Sequence, residues 1–218
     1  MGDSGLDTGH CFFEESQGGT ATNQNYSPDH RKVVAYRAYA DGGATGTRDH
    51  GTHVVGSILG KSSAPGAQGA GERGSAYEAK VSFTDIGPGD APGLAVPNDL
   101  VNNFFNVDYA NGARIHSNSW GANINAYTNP TQDVDEFMAL NDDMLILFAA
   151  GNSGQDGPGT YTSQQQGSKS STPSPLTTHH STTHRPSLPL ARLHRRPSDL
   201  QELPNRRCLR EPSGATGR

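Results

Sequence analysis

The chain has 218 residues, a net charge of −5 and a hydrophobic fraction of 32%, which is low for a chain that must bury one large core. Residues 1–159 carry a net charge of −11, from 8 Lys+Arg and 19 Asp+Glu. Residues 160–218 carry a net charge of +6, from 9 Lys+Arg and 3 Asp+Glu. The acidic part argues against a nucleic-acid partner, because phosphate binding requires a basic face.

The first feature along the chain is a short acidic segment, DSGLDTGH, at residues 3–10. Asp3 and Asp7 each open a D-[ST]-G triplet, of the kind that aspartic proteases use twice. Those enzymes bring two carboxylates together from separate lobes, which triplets four residues apart cannot do. We therefore discard that interpretation and predict that Asp7 is a loop residue. Catalytic acids of doubly wound folds follow a strand, and only Met1 and Gly2 precede Asp3, so we expect the chain to be incomplete at this end.

The segment HGTHVVG, residues 50–56, predicts a loop that turns into a buried helix with an imidazole at its start. The helix is indicated by apolar residues at helical spacing, namely Val54, Val55, Ile58 and Leu59. His50 is a candidate general base. A general base of this kind needs an acid to orient it and a nucleophile from which it takes a proton. An H-x-x-H metal pair with His53 is the alternative, but no zincin Glu and no third ligand accompany it, so we assign no metal site. We predict that His53 is a packing residue of the helix.

Regular elements are predicted through the rest of the first 159 residues. A polar, Gly-rich loop with a strand-like patch at 33–39 is followed by strands at 79–86, 113–120 and 144–150 and by helices at 98–110 and 129–142. Asn129 is predicted as the N-cap of the last helix, with Pro130 after it. The inward faces of the two helices are predicted to hold Leu100, Val101, Phe104, Phe105 and Val107, and Val134, Phe137, Met138 and Leu140.

These elements predict an α/β fold with a doubly wound, mainly parallel sheet. The run 144–150 is apolar throughout, which is typical of a central parallel strand covered on both faces. Alternating strands and helices with right-handed crossovers bring the carboxyl ends of the strands to one working edge. We expect a partial domain at residues 1–159 and a different kind of segment at 160–218.

A candidate oxyanion donor follows the last predicted strand, in LILFAAGNSG at residues 145–154. Acyl transfer develops negative charge on the former carbonyl oxygen, and a fixed side-chain amide such as that of Asn152 can stabilise it. The alternative is a helix cap or turn former between glycines. Because AAGN follows a buried strand, we favour the oxyanion role.

Three motifs in this order resemble the subtilases, the subtilisin-like serine proteases. That family carries D-[ST]-G, HGTH-[VI]-x-G and A-A-G-N segments, which here are residues 3–5, 50–56 and 149–152. The stretch GARIHSNSWGA, residues 112–122, resembles the family's substrate-binding strand and is closest in wording to the large, oxidatively stable alkaline subtilisins. The resemblance covers residues 1–160 and implies an incomplete fold of the subtilisin type.

The resemblance implies a serine-type endopeptidase with an Asp/His/Ser triad and broad specificity. It assigns Asp3 as the acid that orients the imidazole, His50 as the general base and Asn152 as the oxyanion donor. A substrate would pair as an added strand with the backbone of Ser119, Trp120 and Gly121. A surface turn is the alternative for Asp3, and the other motifs count against it.

The nucleophile of the triad is not found. Subtilases carry it in a G-T-S-[MLI]-[AS]-x-P segment that this sequence lacks: Gly159 and Thr160 are followed by Tyr161, and Ser213 has no preceding Gly-Thr. Residues 160–218 are rich in Ser, Thr, Pro, Arg and His, and we interpret them as a disordered basic tail or as the product of a shifted frame or retained intron. We expect the chain to be inactive as it stands. The alternative is a non-catalytic pseudoprotease that binds extended peptides.

The remaining expectations concern the partners and surroundings of the chain. We expect a polypeptide substrate, a monomer and no membrane span, because no apolar run approaches the necessary length. The family resemblance implies a secreted or extracytoplasmic location and no required cofactor. It also implies structural calcium, for which Asp41 and Asp49 are candidate ligands, although solvated loop carboxylates are the simpler interpretation.

Overall fold

A computed structural model of the chain describes residues 1–15, 26–40, 49–63, 73–89, 93–124 and 126–152. These residues form one sheet with the strands β1 (Gly2–Asp3), β2 (Val33–Ala38), β3 (Val81–Asp85), β4 (Ile115–Asn118) and β5 (Leu145–Phe148). The strand order is β2-β3-β1-β4-β5, and neighbouring strands all pair in parallel. The helices are α1 (Asp49–Leu59), a π-helix (Val101–Phe105) that continues into α2 (Asn106–Ala110), and α3 (Asn129–Leu140). The predicted α/β class with a parallel sheet is confirmed.

Helices cover both faces of the sheet, as the two residues of β1 show. Successive residues of a strand face opposite sides, so Gly2 and Asp3 point in opposite directions. Asp3 contacts His50 of α1, whereas a Cβ atom on Gly2 would lie 2.1 Å from the ring of Phe104 in the π-helix. α1 and the π-helix therefore lie on opposite faces, which is the arrangement of a doubly wound sheet.

The interior holds two clusters of buried apolar side chains. The α1 core packs α1 against β2 and β3 and comprises Met1, Leu6, Phe13, Val33, Tyr36, Ala38, Val55, Leu59, Val81 and Phe83. The α3 core packs the π-helix and α3 against β4 and β5 and comprises Ile86, Leu100, Phe104, Phe105, Val134, Phe137, Met138, Met144, Ile146 and Phe148. Each large apolar side chain that is fully buried stabilises the fold by about 1.5–3 kcal/mol. The predicted inward faces of the helices supply much of both cores.

The positions of the first and last strands differ from what their sequences suggest. β1 has two residues yet lies at the centre of the sheet, between β3 and β4. β5 lies at the outer end of the described strands, and the expected continuous burial is not found. Ile146 and Phe148 are buried, whereas Leu145 and Leu147 are partly exposed. Among the described residues, therefore, only one face of β5 is fully covered.

The helix predicted at 98–110 begins with a π-helical turn. The N–H of Asn106 donates to the carbonyl of Val101, five residues earlier. This wider turn lets the consecutive rings of Phe104 and Phe105 both enter the α3 core, where neither is exposed. Hydrophobic spacing predicts that a helix is present but not that one turn has an extra residue.

Three local predictions are wrong. His53 is exposed, because it lies two residues, or about 200° of helical rotation, from the buried Val55. Leu140 is 72% exposed, since it is the final residue of α3 and no described element covers it. Thr128 caps α3 in place of Asn129, and its N–H donates to Thr131 Oγ1 at 3.3 Å.

Other predicted features lie outside the described residues. They include Asp41, the side chain of Asp49, Ser213 and the whole of residues 160–218. Asp49 itself begins α1. No helix in the described ranges is both long enough and apolar enough to cross a membrane.

Candidate active site

Asp3 and His50 are in direct contact, and we call them the Asp/His pair. His50 Nδ1 lies 2.7 Å from Asp3 Oδ1. The side chain of Asp3 is 2% exposed, whereas that of His50 is 59% exposed. A carboxylate bound to Nδ1 fixes the tautomer of an imidazole and leaves Nε2 to exchange a proton with a third group. The structure thus brings together the two residues that the sequence predicts as acid and base.

The position of Asp3 follows from its place at the carboxyl end of the central strand. The N–H of Ser4 donates to Asp3 Oδ1 at 2.7 Å, so the oxygen that contacts the imidazole is also held by the backbone. Asp3 Oδ2 is buried and has no hydrogen-bond partner among the described residues. A buried, unpaired acceptor costs about 1–3 kcal/mol, and such atoms call for a functional explanation.

The residues that follow the imidazole let α1 approach β1 closely. A Cβ atom on Gly51 would lie 2.1 Å from the carbonyl oxygen of Gly5 and 3.2 Å from Asp3 Cβ, so only glycine fits there. Thr52 Oγ1 accepts a hydrogen bond from the N–H of Asp7 at 2.9 Å. The HGT sequence therefore fixes the distance between helix and strand as well as supplying the imidazole.

The predicted substrate-binding segment directly follows β4. Ser119 and Trp120 are half-buried and Gly121 is exposed. The indole of Trp120 faces the sheet, where its Nε1 donates to the carbonyl oxygen of Gly2 at 3.0 Å and its ring lies 5.2 Å from that of Phe148. The side chain of Trp120 is therefore engaged within the domain, and peptide pairing by the backbone of the segment stays a prediction.

Asn152 lies beyond β5, at the same edge of the sheet as Asp3. The N–H of Ala149 donates to the carbonyl oxygen of Asn118 at 2.9 Å and so joins the ends of β5 and β4. Gly151 has a φ of 89°, a left-handed conformation that glycine adopts without strain. This turn leaves Asn152 exposed after the strand.

Asp85, which the sequence analysis does not single out, lies beside the Asp/His pair. It ends β3 in register with Asp3 and is 1% exposed. Its Oδ2 accepts a hydrogen bond from the Tyr36 hydroxyl at 2.6 Å, and its Oδ1 accepts one from the N–H of Gly87 at 2.9 Å. A carboxylate at an apolar position of the alternating segment AKVSFTDI is the sequence signal that identifies it.

Potential metal ligands are not clustered in the part of the chain that the structure describes: there, no group of three or more His, Cys, Asp or Glu side chains is placed to hold a metal ion. His50 contacts Asp3, and His53 lies exposed on α1. Calcium binding by Asp41 and Asp49 stays a prediction, because Asp41 and the Asp49 side chain lie outside the described residues.

Comparison with known proteins identifies the family. The sequence model of the Subtilase family matches residues 2–183. The chain belongs to the subtilase family. Motif, fold and the contact between Asp3 and His50 agree in this subtilase, so the predicted family is confirmed.

The chain is also similar to three proteins of Dictyostelium discoideum, each named a serine protease/ABC transporter B family protein. It is 32% identical to tagD over 160 residues, which are 71% of this chain and 9% of tagD. It is 33% identical to tagB over 157 residues, or 70% of this chain and 8% of tagB. It is 30% identical to tagA over 151 residues, which are 69% of this chain and 8% of tagA. This subtilase chain thus spans less than a tenth of the length of these relatives.

Proposed function

We propose that the Asp/His pair is the acid and base of a serine endopeptidase site, with Asn152 as its oxyanion donor. The observation that carries the proposal is the 2.7 Å contact between buried Asp3 and exposed His50 in a chain of the subtilase family. Asp3 holds Nδ1–H and stabilises the imidazolium when it forms. Nε2 takes the proton of the attacking hydroxyl and gives it to the leaving amine.

The proposed substrate is an extended polypeptide. Its backbone pairs with residues 119–121, and main-chain pairing tolerates many side chains, which supports broad specificity. Asn152 then donates to the oxygen that becomes negative, and removal of such a donor costs on the order of 10²–10³ in turnover in subtilisin. The wording of residues 112–122 supports a place near the large alkaline subtilisins.

The nucleophile is the component that the 218 residues lack, because no G-T-S segment of the family type occurs in them. Without an attacking hydroxyl, the base has no proton to accept and no acyl-enzyme can form. We therefore expect the purified chain to hydrolyse no peptide and to take up no fluorophosphonate. Labelling of any serine in the chain by a fluorophosphonate would contradict this.

A chimera tests the roles of the Asp/His pair. Joining a subtilase segment that carries the nucleophile after Asn152 should restore hydrolysis of an unfolded polypeptide. His50→Ala or Asp3→Ala should then lower turnover by roughly 10⁴–10⁶. His53→Ala is the matched control, because that imidazole is exposed on the same helix, and it should leave turnover unchanged. Equal losses in His50→Ala and His53→Ala would reject the assignment.

A second candidate function is the binding of extended peptides without catalysis. The anchoring of Trp120 to Gly2 favours it, because this contact holds the peptide-pairing segment in place without any nucleophile. Trp120 is the only tryptophan of the chain, so its fluorescence reports on this segment directly. Saturable change of the emission by a micromolar extended peptide would support binding, and no change up to millimolar peptide would reject it.

We also propose the two properties that the family resemblance implies for the surroundings of the site. Structural calcium would use Asp41 and Asp49, and a chelator should then lower the unfolding temperature of the chain but not that of Asp41→Asn. An extracytoplasmic location would be visible by fractionation of the source cells.

A further inference from the structure

We propose that Asp85 is a positioning residue for the Asp/His pair, an inference that rests on the proposed function. Asp85 is a buried carboxylate at the end of β3, one strand away from Asp3 and in register with it. Its two oxygens accept hydrogen bonds from different elements, the Tyr36 hydroxyl of β2 and the N–H of Gly87 in the loop after β3.

The segment after β3 that Asp85 holds lies directly against Asp3 and Ser4, at the end of β1. The N–H of Ile86 donates to the carbonyl oxygen of Asp3 at 2.9 Å. A Cβ atom on Gly87 would lie 3.0 Å from Ser4 Cα and 3.2 Å from Asp85 Oδ1, so the backbone of Gly87 lies close to both residues, with no room for a side chain between them. A shift of Gly87 towards Ser4 would press on Ser4, and a shift away from Asp85 would break the hydrogen bond between them.

Ser4 transmits this contact to the acid. Its N–H donates at 2.7 Å to Asp3 Oδ1, the same oxygen that lies 2.7 Å from His50 Nδ1. Asp3 Oδ2 has no partner among the described residues, so the carboxylate orientation depends on the contacts of Oδ1. Asp85 thus acts through Gly87 and Ser4 on the orientation of the acid, and through it on the imidazole.

The alternative is that Asp85 acts by its charge. A second buried carboxylate near Asp3 would stabilise positive charge on the imidazole whether or not it holds Gly87. Asp85→Asn separates the two effects, because it removes the charge but keeps an oxygen for Gly87 and an N–H for the Tyr36 oxygen. Asp85→Ala removes the charge and both hydrogen bonds.

The test is the ¹⁵N spectrum of the His50 imidazole in the full chain with labelled histidine, at a pH where imidazole is neutral. The His50 signals are identified by their loss in His50→Gln. The wild type should show the Nδ1–H tautomer that the Asp3 contact selects. We expect loss of this tautomer signature in Asp85→Ala and its retention in Asp85→Asn. Tyr36→Phe, which removes one of the two hydrogen bonds of Asp85, should shift the signals in the same direction by a smaller amount.

Val134→Ala controls for general loosening, since Val134 is fully buried in the α3 core. It should destabilise the chain without changing the His50 spectrum. The proposal is overturned if Asp85→Ala folds with an unchanged spectrum, if Asp85→Asn is as damaging as Asp85→Ala, or if Val134→Ala gives the same change. If Asp85→Ala does not fold, an unchanged spectrum in Tyr36→Phe overturns it.

Asp3→Ala, which removes both carboxylate oxygens, tells failure of this inference from failure of the proposed function. If Asp3→Ala leaves the His50 tautomer unchanged, the Asp/His pair itself is not formed and the proposed catalytic roles fail. If Asp3→Ala changes the tautomer and Asp85→Ala does not, the pair stands and only the positioning role of Asp85 is rejected.

Discussion

Asp108 of α2 and His116 of β4 face each other in the interior, with Asp108 Oδ2 2.9 Å from His116 Nε2 and both residues fully buried. The Ser82 hydroxyl donates to the other Asp108 oxygen at 2.6 Å. The ring centroids of Phe104 and Phe105 lie 4.9 and 5.1 Å from that of the imidazole. Burial lowers the pKa of His116 to about 4.

This burial predicts a loss of stability in mild acid. The unfolded chain protonates His116 below about pH 6.5, whereas the folded chain does so only near pH 4, so the unfolded state binds more protons between these values. The free energy of unfolding should therefore fall as pH is lowered through that window, by on the order of 3 kcal/mol from this residue. Urea unfolding at pH 7 and at pH 4.5 measures this difference in the free energy of unfolding. His116→Gln keeps an N–H donor but does not titrate, and an identical pH dependence in this variant would contradict the prediction.

Replacement of two glycines of α1 by alanine should change the free energy of unfolding in opposite directions. Gly51→Ala places a Cβ atom 2.1 Å from the carbonyl oxygen of Gly5, and we expect a loss of about 2–3 kcal/mol as α1 is forced from β1. Gly56→Ala places it 3.7 Å from the rings of Phe12 and Phe13, an ordinary contact, and should add up to about 1 kcal/mol through helix propensity. Denaturant unfolding compares the two. A similar effect of both substitutions would show that the close approach of α1 to β1 is not tight.

Replacement of Trp120 should separate its hydrogen bond from its packing. Trp120→Phe keeps an aromatic ring beside Phe148 but loses the donor to the Gly2 carbonyl, and we expect a loss of about 1 kcal/mol. Trp120→Ala should cost more, roughly 3 kcal/mol, because the ring contacts are lost too. Circular dichroism follows the unfolding, since these variants have no tryptophan. The control is Tyr127→Phe, because the Tyr127 hydroxyl donates to Asp135 at the surface. This variant should change the free energy of unfolding by less than about 0.5 kcal/mol. Equal stability of Trp120→Phe and the wild type would contradict the role of the indole N–H.

The N-terminus of α3 provides a test of the cap position. Thr128→Ala removes the capping residue and should cost about 1 kcal/mol. Asn129→Ala changes an exposed residue inside the first turn and should alter stability by less than about 0.5 kcal/mol. Thermal unfolding of the two variants ranks them. A larger loss of stability in Asn129→Ala than in Thr128→Ala would show that Asn129 is the N-cap, as the sequence pattern predicts.

Local patterns predict most of the secondary structure. The alternating and apolar runs give β2, β3, β4 and β5 to within a few residues, because burial on a sheet selects those residue types. α1 follows from the spacing of Val55 and Leu59, and the ordered motifs single out Asp3 and His50 before any contact is known. These features depend on residues close together in sequence.

Features that depend on distant residues could not be predicted in this way. The place of β1 comes from its pairing with Thr84, Asp85 and Asn118, and a strand of two residues has no period to detect. Asp85 lies near the end of an alternating segment in the sequence, and only its hydrogen bonds with Tyr36 and Gly87 show what it holds. The exposure of Leu145 and Leu147 likewise depends on which elements cover the sheet there.

The central position of β1 ties the integrity of the domain to the assembly of its chemistry. The α1 core lies on one face of the sheet and the α3 core on the other, and β1 borders both, because Asp3 faces α1 and Gly2 lies against Phe104. A loss of packing in either core therefore disturbs the same two residues. Amide hydrogen exchange should accordingly find that the amides of β1 and of the strands beside it exchange only on global unfolding. The acid–base pair would then be lost only when the whole domain unfolds.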